Sequence, residues 1–190
     1  MTSKPSARGR AAQPLIDTLE FARTGGTLEG TQAPTDFPRL LDLLADDAGR
    51  IEWRLSGERQ PRPEGGADTF LRLHLQGTVS PACTRCLRPV VSGFADERLF
   101  KLAATETQAE REDAETDDYD VMATSERFDV MEFVEDEVIL ALPIAPRHED
   151  CQLPVELPEP PPELADERPN PFAALAALKT RRDPDGGAAE

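Results

Sequence analysis

The chain has 190 residues, of which 38% are apolar and 18 are proline, so it has room for one domain of ordinary size and for stretches that cannot join its core. Asp and Glu number 37 against 21 Lys and Arg, and the resulting net charge of −16 opposes non-specific binding to nucleic acid. No sustained apolar run follows the basic N-terminus, and the run from Val138 to Pro146 is far too short to span a membrane, so we expect a cytoplasmic protein.

Composition divides the chain into five segments. Residues 1–12 are small, polar and basic, which predicts a flexible arm, and residues 13–153 are expected to form the folded domain. Residues 154–171 are rich in proline and carboxylates, which predicts an extended linker. Residues 172–182 place Phe172, Leu175 and Leu178 at helical spacing before a basic end, which predicts a short amphipathic helix, and residues 183–190 are expected to be a disordered tail.

The first half of the domain predicts one helix and a β-hairpin. Apolar residues recur at helical spacing over Asp36–Leu44, with Asp36 as a plausible N-cap. From Ile51 to Leu55 and again from Leu71 to Val79 the apolar residues alternate with polar ones, as in half-buried strands. The turn-rich residues 61–66 separate the two runs, so we expect an antiparallel hairpin with His74 on its polar face.

A third strand and an acidic segment follow. Val90–Leu102 is rich in Val, Phe and Leu and predicts a strand, with Gly93 as a possible bulge. Residues 103–120 carry many carboxylates and almost nothing apolar, which predicts a disordered acidic loop. The fold class expected from these elements is α+β, with a small antiparallel β-sheet or partial barrel and a few packed helices.

The strongest helix signal in the sequence lies at Val130–Leu142, which Asp129 caps and Pro143 ends. A helical wheel gives one broad apolar arc, with Leu140 inside it and three carboxylates on the opposite, solvated side: Glu132, Glu135 and Asp136. Glu137 falls within the apolar arc, so it should pair with an Arg or Lys side chain or with backbone donors near the Cys83 turn. Glu137→Ala is therefore expected to destabilise the fold more than Glu135→Ala.

Two short sequences suggest a metal site. Cys83-Thr84-Arg85-Cys86 and His148-Glu149-Asp150-Cys151 each place two soft or borderline ligands three residues apart, which suits a tetrahedral zinc ion. Four protein ligands would close the coordination shell, so the zinc would be structural. Two alternatives remain: ordinary reduced side chains, and a redox-active Cys83–Cys86 pair, which the strand-like sequence after Cys86 disfavours.

Four stretches of the chain, in order, resemble the YceD family, the large ribosomal RNA subunit accumulation proteins. They are Cys83-Thr84-Arg85-Cys86-Leu87-Arg88-Pro89, Val134 to Pro143, Pro146-Arg147-His148 with Cys151, and Asn170-Pro171-Phe172-Ala173 running to Lys179. The resemblance covers roughly residues 30 to 180. It implies a role in synthesis, processing or stability of the large-subunit (23S) ribosomal RNA, and it implies no catalytic residue.

We therefore expect a non-enzymatic ribosome-biogenesis factor that binds a large-subunit precursor. Contacts could come from the helix at residues 172–182, or from Arg85, Arg88 and Arg147 if zinc draws them into a small positive patch. The alternative is an adaptor or chaperone-like module that binds a basic ribosomal protein through its acidic segments. No membrane contact and no small-molecule substrate are expected.

Overall fold

The computed structural model describes residues 14–153. The predictions of a basic arm at residues 1–12, a linker at 154–171, a helix at 172–182 and a tail at 183–190 lie outside the described residues. The described strands are β1 (Leu15–Ile16), β2 (Thr27–Gln32), β3 (Leu44–Pro61), β4 (Ala67–Pro81), β5 (Ser92–Ala103), β6 (Asp120–Ala123) and β7 (Phe128–Asp129). The described helices are α1 (Thr18–Thr24), α2 (Pro38–Leu41), α3 (Glu106–Asp113) and α4 (Val130–Ala141).

The centre of the fold is an open five-stranded sheet in the order β2-β3-β4-β5-β6. Its first three pairings are antiparallel, whereas β6 lies parallel to β5. The two short strands β1 and β7 form a separate antiparallel pair. The α+β prediction is confirmed, and the sheet is open because β2 and β6 each leave one edge unpaired within this sheet.

The predicted hairpin is present and longer than its apolar alternation suggested. β3 and β4 pair from Leu44↔Pro81 to Pro61↔Ala67, and the turn lies at residues 62–66. The predicted third strand is β5, but Gly93 is not a bulge, since Thr78↔Gly93 and Val79↔Ser92 are consecutive pairs. His74 lies on the exposed face, as predicted, 3.4 Å from Glu97 between Nδ1 and Oε2.

One face of the sheet is covered by helices and forms the core. The buried side chains come from alternating positions of β3 and β4 and from the apolar side of α4, where Val130, Val134 and Val138 are fully buried. Phe133 of α4 meets Phe100 of β5 edge to face, with 4.9 Å between the ring centroids. None of the helices within residues 14–153 is long and apolar enough to cross a membrane.

The helix predicted at Asp36–Leu44 is shorter in the structure. A 3-10 turn occupies Pro34–Asp36, Phe37 is the N-cap of α2, and the helix ends at Leu41. Pro38 at the first helical position lacks an N–H, which favours a helix start there, and β3 already begins at Leu44. The predicted N-cap role of Asp36 is wrong: its carboxylate accepts from the Ala33 N–H of the preceding turn.

The acidic stretch at residues 103–120 is not the disordered loop that its composition suggested. Thr105 caps α3 by accepting a hydrogen bond from Gln108 N–H, and Ala109 is buried against the domain. Glu112 on the same helix lies 2.9 Å from Lys101 Nζ and accepts from the Gln108 side chain. The capping residue and these specific pairs therefore hold a helix that the acidic composition of the stretch does not reveal.

Helix α4 has its predicted cap but not all of its predicted faces. The Asp129 carboxylate accepts from the Met131 and Glu132 N–H groups, as expected for an N-cap. Leu140 is exposed although the wheel placed it in the apolar arc, and Glu135 is buried although the wheel placed it in solvent. The reason is that α2 packs beside Glu135, where Arg39 and Leu40 bind its carboxylate.

The prediction that Glu137 is buried with a basic partner is confirmed. Its Oε2 accepts from Arg98 Nη1 at 2.9 Å, and Arg98 also contacts Asp120 at 2.5 Å, so the network joins α4, β5 and β6. Burial raises the pKa of Glu137, although the Arg98 charge opposes that rise.

Candidate metal centre and its surroundings

The first pair of candidate ligands, Cys83 and Cys86, lies in a tight turn between β4 and β5. Cys83 N–H donates to Arg88 O at 2.9 Å, and Leu87 N–H donates to Cys83 O at 2.9 Å. An isolated bridge between Ala82 and Pro89 closes the base of the turn. Leu87 has φ 62°, a left-handed backbone conformation that side-chain-bearing residues seldom adopt.

The second ligand pair follows the end of α4 and lies against this turn. Pro146 O accepts both the Thr84 N–H at 2.9 Å and the Thr84 hydroxyl at 3.2 Å. Arg85 Nη1 donates to Cys151 O at 2.8 Å. Two stretches that are more than sixty residues apart in sequence are therefore joined by direct hydrogen bonds.

All four residues singled out in the sequence converge at this junction. One ligand atom from each of Cys83, Cys86, His148 and Cys151 lies within 4.8 Å of the others. Cys83 Sγ is 3.6 Å from Cys151 Sγ, and Cys86 Sγ is 3.5 Å from His148 Nδ1. A tetrahedral zinc ion with ordinary bond lengths separates two sulfur ligands by about 3.8 Å and a sulfur from a nitrogen by about 3.6 Å. The donor types and these two separations fit zinc.

The ring of His148 is oriented as a metal-binding imidazole requires. Nε2 lies 3.0 Å from Pro89 O, and a carbonyl oxygen can only accept, so Nε2 carries the proton. Nδ1 is then free to offer its lone pair to the group of three sulfur atoms. A backbone carbonyl that fixes the tautomer in this way is the usual support for a histidine ligand.

The thiols also have the electrostatic character of ligands. Burial would raise the pKa of Cys83, but hydrogen bonds from the backbone at Cys86, His148 and Arg85 outweigh it and lower that pKa to about 5. The Arg88 backbone lowers the pKa of Cys86, whereas burial beside the other two sulfurs raises that of Cys151. Crowded thiolates repel one another, and a divalent cation would remove that conflict.

The geometry does not support the redox interpretation of Cys83 and Cys86. Residues 84–86 form a turn, and the chain then returns through the Ala82↔Pro89 bridge into β5, so no helix begins at this pair. A helix N-terminus is what usually activates a Cys-X-X-Cys thiol toward exchange. The three cysteines are buried and unbridged.

The three arginines expected to form a positive patch lie on the two joined stretches, but two of them are engaged within the site. Arg85 donates to Cys151 O, and hydrogen bonding to the Cys86 sulfur raises the pKa of Arg88. Within residues 14–153, none of Arg85, Arg88 and Arg147 forms an ion pair with a carboxylate. Sequence reasoning missed Asp46, which reaches this end through the Asp46↔Ser80 pair of β3 and β4, with Asp42 and Asp47 close to it along the chain.

Sequence reasoning also missed two supporting residues of the site. Thr84 and Pro89 stand inside the quoted motif, yet nothing in the sequence shows that Thr84 binds Pro146 or that Pro89 orients His148. The partly buried Val90 packs directly on the three cysteines. The one signal in the sequence is position, because Thr84 directly follows Cys83 and Pro89 and Val90 lie three and four residues after Cys86.

The chain is similar to known proteins over most of its length. The family model "Large ribosomal RNA subunit accumulation protein YceD" matches residues 71–179, a range that includes Cys83, Cys86, His148 and Cys151. The large ribosomal RNA subunit accumulation protein YceD of Haemophilus influenzae is 35% identical over 176 residues, covering 87% of this chain and 95% of that protein. No solved structure matches the chain. Given a family model over more than half of the chain and a relative matched over most of both proteins, the chain belongs to the YceD family.

Proposed function

We propose that this protein supports accumulation of the large-subunit ribosomal RNA in the cytoplasm by binding a large-subunit assembly intermediate, and not by catalysis. The family and the name of its Haemophilus influenzae relative support the process. The single observation that carries the binding role is the junction of two distant stretches at Cys83, Cys86, His148 and Cys151, which builds one surface from both.

The groove over the exposed face of the sheet is the main alternative place for chemistry. It has a volume of about 990 Å³ and is lined largely by charged side chains that pair with each other, such as Arg54 with Glu29 and Arg50 with Glu52. Mutually satisfied ion pairs are typical of a solvated sheet face. This arrangement favours a binding protein over an enzyme.

We further propose that one structural zinc ion binds the four clustered residues. It would supply a closed tetrahedral centre, and its role would be to fix the turn after β4 to the segment after α4. The domain core is built from the sheet and α4 and does not include the cysteines, which form a cluster of their own. Loss of the metal should therefore loosen the junction while leaving the sheet folded.

The zinc proposal is tested by metal analysis of full-length protein purified without chelator. The wild type should carry one zinc per chain, and Cys83→Ser and Cys151→Ser should each abolish it, since they remove one ligand from each stretch. His74→Ala is the matched control, because His74 lies on the exposed sheet face away from the site and should leave the metal content unchanged. Metal-free wild type would refute the proposal.

The binding proposal is tested by sedimentation of cell extracts. Full-length protein should migrate with large-subunit precursor particles, and Cys83→Ser should shift it to the unbound fractions and lower the level of large-subunit ribosomal RNA. The partner contacted could be the ribosomal RNA or a basic ribosomal protein, and both place the protein on the same particle. Wild-type protein found only in the unbound fractions would contradict the proposed function.

A further inference from the structure

The end of the molecule that carries the cysteines exposes a group of large aliphatic side chains. Leu87 is 70% exposed and Val91 is 77% exposed, both beside the Cys83–Cys86 turn, and Ile144 is fully exposed two residues before Pro146. Leu43 is half exposed and immediately precedes Leu44, which pairs with Pro81 at the same end of the sheet. We call Leu43, Leu87, Val91 and Ile144 the apolar tips. Grouped exposed aliphatics of this kind mark interaction surfaces.

The backbone at Leu87 strengthens this interpretation. Leu87 is the one residue other than glycine with positive φ among residues 14–153, and its side chain is directed to solvent. Asparagine or glycine would occupy this position with less strain. A strained position that presents an exposed leucine makes sense where the leucine contacts something outside the chain.

The sign of the charge around the apolar tips indicates whether they bind a basic protein or a nucleic acid. Five exposed carboxylates lie within a few residues of Asp46, which pairs with Ser80, or of Cys151, and none forms an ion pair with a basic side chain of residues 14–153: Asp42, Asp46, Asp47, Glu149 and Asp150. Against them stand three arginines, Arg85, Arg88 and Arg147, of which Arg85 already donates to Cys151 O. A zinc ion with three thiolates would add a further negative charge. The surface is therefore negative in balance, which repels phosphates.

We infer that this end of the protein docks a basic protein of the large ribosomal subunit, with the apolar tips entering an apolar groove of that partner and the surrounding carboxylates facing its Lys and Arg side chains. This inference rests on the proposed function and names the partner. The net charge of −16 acts in the same direction over longer range, because it attracts a basic protein and disfavours free RNA. An apolar centre with a charged rim is the usual anatomy of a specific protein interface.

The test measures binding of full-length protein to each purified large-subunit ribosomal protein in turn, and to protein-free large-subunit ribosomal RNA. Leu87→Asn removes the leucine and keeps a residue that tolerates left-handed backbone, so the turn stays folded. It should weaken binding to the partner about tenfold, the effect of losing one buried leucine contact. Asp42→Asn combined with Asp47→Asn should slow association and reduce the salt dependence.

Two matched controls separate this surface from general effects. Leu19→Ser changes another partly exposed leucine, on α1, and Asp117→Asn with Asp118→Asn changes two exposed carboxylates before β6, at the far end of the sheet. Both should keep wild-type affinity. Cytochrome c, a basic protein unrelated to the ribosome, should bind weakly and equally to the wild type and to Leu87→Asn.

The outcomes distinguish this inference from the proposed function. Loss of ribosomal-protein binding in Leu87→Asn, with unchanged metal content, would support the inference. Tight binding to protein-free RNA that Leu87→Asn abolishes would overturn it and leave the proposed function standing. Unchanged affinity for the ribosomal protein in Leu87→Asn and in the carboxylate variant would also overturn it, whereas the proposed function fails only if the wild type does not sediment with precursor particles.

Discussion

The Glu135 carboxylate of α4 binds the first residues of α2, and replacing Glu135 tests how much this contact stabilises the domain. Its Oε1 accepts the Arg39 N–H at 2.6 Å and the Leu40 N–H at 3.0 Å, and its Oε2 accepts from Arg39 Nε at 3.1 Å. Phe37, the N-cap of α2, offers no side-chain cap. Glu135 therefore serves as the cap of a helix elsewhere in the chain, and it is only 6% exposed.

The cost of Glu135→Ala can be estimated from these contacts. Loss of a cap costs about 1 kcal/mol, and each N–H left buried without an acceptor costs about 1–3 kcal/mol. Leu40 is fully buried, so its N–H cannot regain water, whereas the half-exposed Arg39 side chain can. We expect a loss of about 3 kcal/mol, which lowers the melting temperature of a domain of this size by about 10 °C.

Chemical denaturation of wild type, Glu135→Ala and Glu132→Ala measures this difference. Glu132 is the control because it lies on the same helix with an exposed side chain, and its replacement should change the free energy of unfolding by at most about 0.5 kcal/mol. Glu135→Gln should fall between the two, since an amide oxygen can still accept from the backbone. Equal stabilities of the Glu135→Ala and Glu132→Ala proteins would refute the capping role.

Three further predictions concern single positions. Glu137→Gln should cost less stability than Glu137→Ala. The pKa of Glu137 in the folded state is raised above its usual 4.5, so the wild type should lose stability relative to Glu137→Gln as pH rises from 4.5 through the raised pKa. Denaturation of both proteins at a series of pH values measures this loss. Gly57→Ala should destabilise by about 2–3 kcal/mol, because its Cβ would lie 2.5 Å from Phe21 O, whereas Gly93→Ala meets nothing closer than 3.8 Å and should unfold like wild type. Leu87→Gly should raise the free energy of unfolding by about 0.5–1 kcal/mol by relieving the left-handed backbone, and a destabilised variant would contradict that strain.

Periodicity predicted the parts of the fold whose faces are decided locally. The alternation in β3 and β4 and the cap at Asp129 follow from residues next to one another, so the hairpin and α4 were predicted with the correct type and the correct buried side of the strands. Glu137 was predicted to be paired because an apolar arc surrounds it, and the structure supplies Arg98.

The parts of the fold that the sequence did not predict depend on contacts between segments that are distant in the chain. A helical wheel shows which residues share a face but not which element will pack there, so Glu135 was assigned to solvent although α2 covers it. Composition averaged over residues 103–120 hid the Thr105 cap and the Lys101–Glu112 pair that hold α3. The parallel pairing of β6 with β5 also has no local signal, because it joins segments across that helix.

At the candidate site, the four clustered residues could be predicted from the sequence, but the charge of the surface around them could not. The spacing of the cysteines and His148 was enough to nominate four ligands, and the structure places them together. The charge of the surrounding surface was not predictable, since Asp42 and Asp47 flank the first residues of β3, and β3 reaches this end only through its pairing with β4 at Leu44↔Pro81 and Asp46↔Ser80. With those carboxylates counted, we infer a surface that is negative in balance, which favours a basic protein as the partner.

An X-ray absorption spectrum at the zinc edge, recorded on full-length protein purified without chelator, tests whether one ion joins the two distant stretches. We expect three sulfur ligands at about 2.3 Å and one nitrogen ligand at about 2.0 Å, which requires both stretches to meet at one ion. A zinc shell dominated by oxygen and nitrogen, or protein without zinc, would contradict the claim that a metal joins the turn after β4 to the segment after α4.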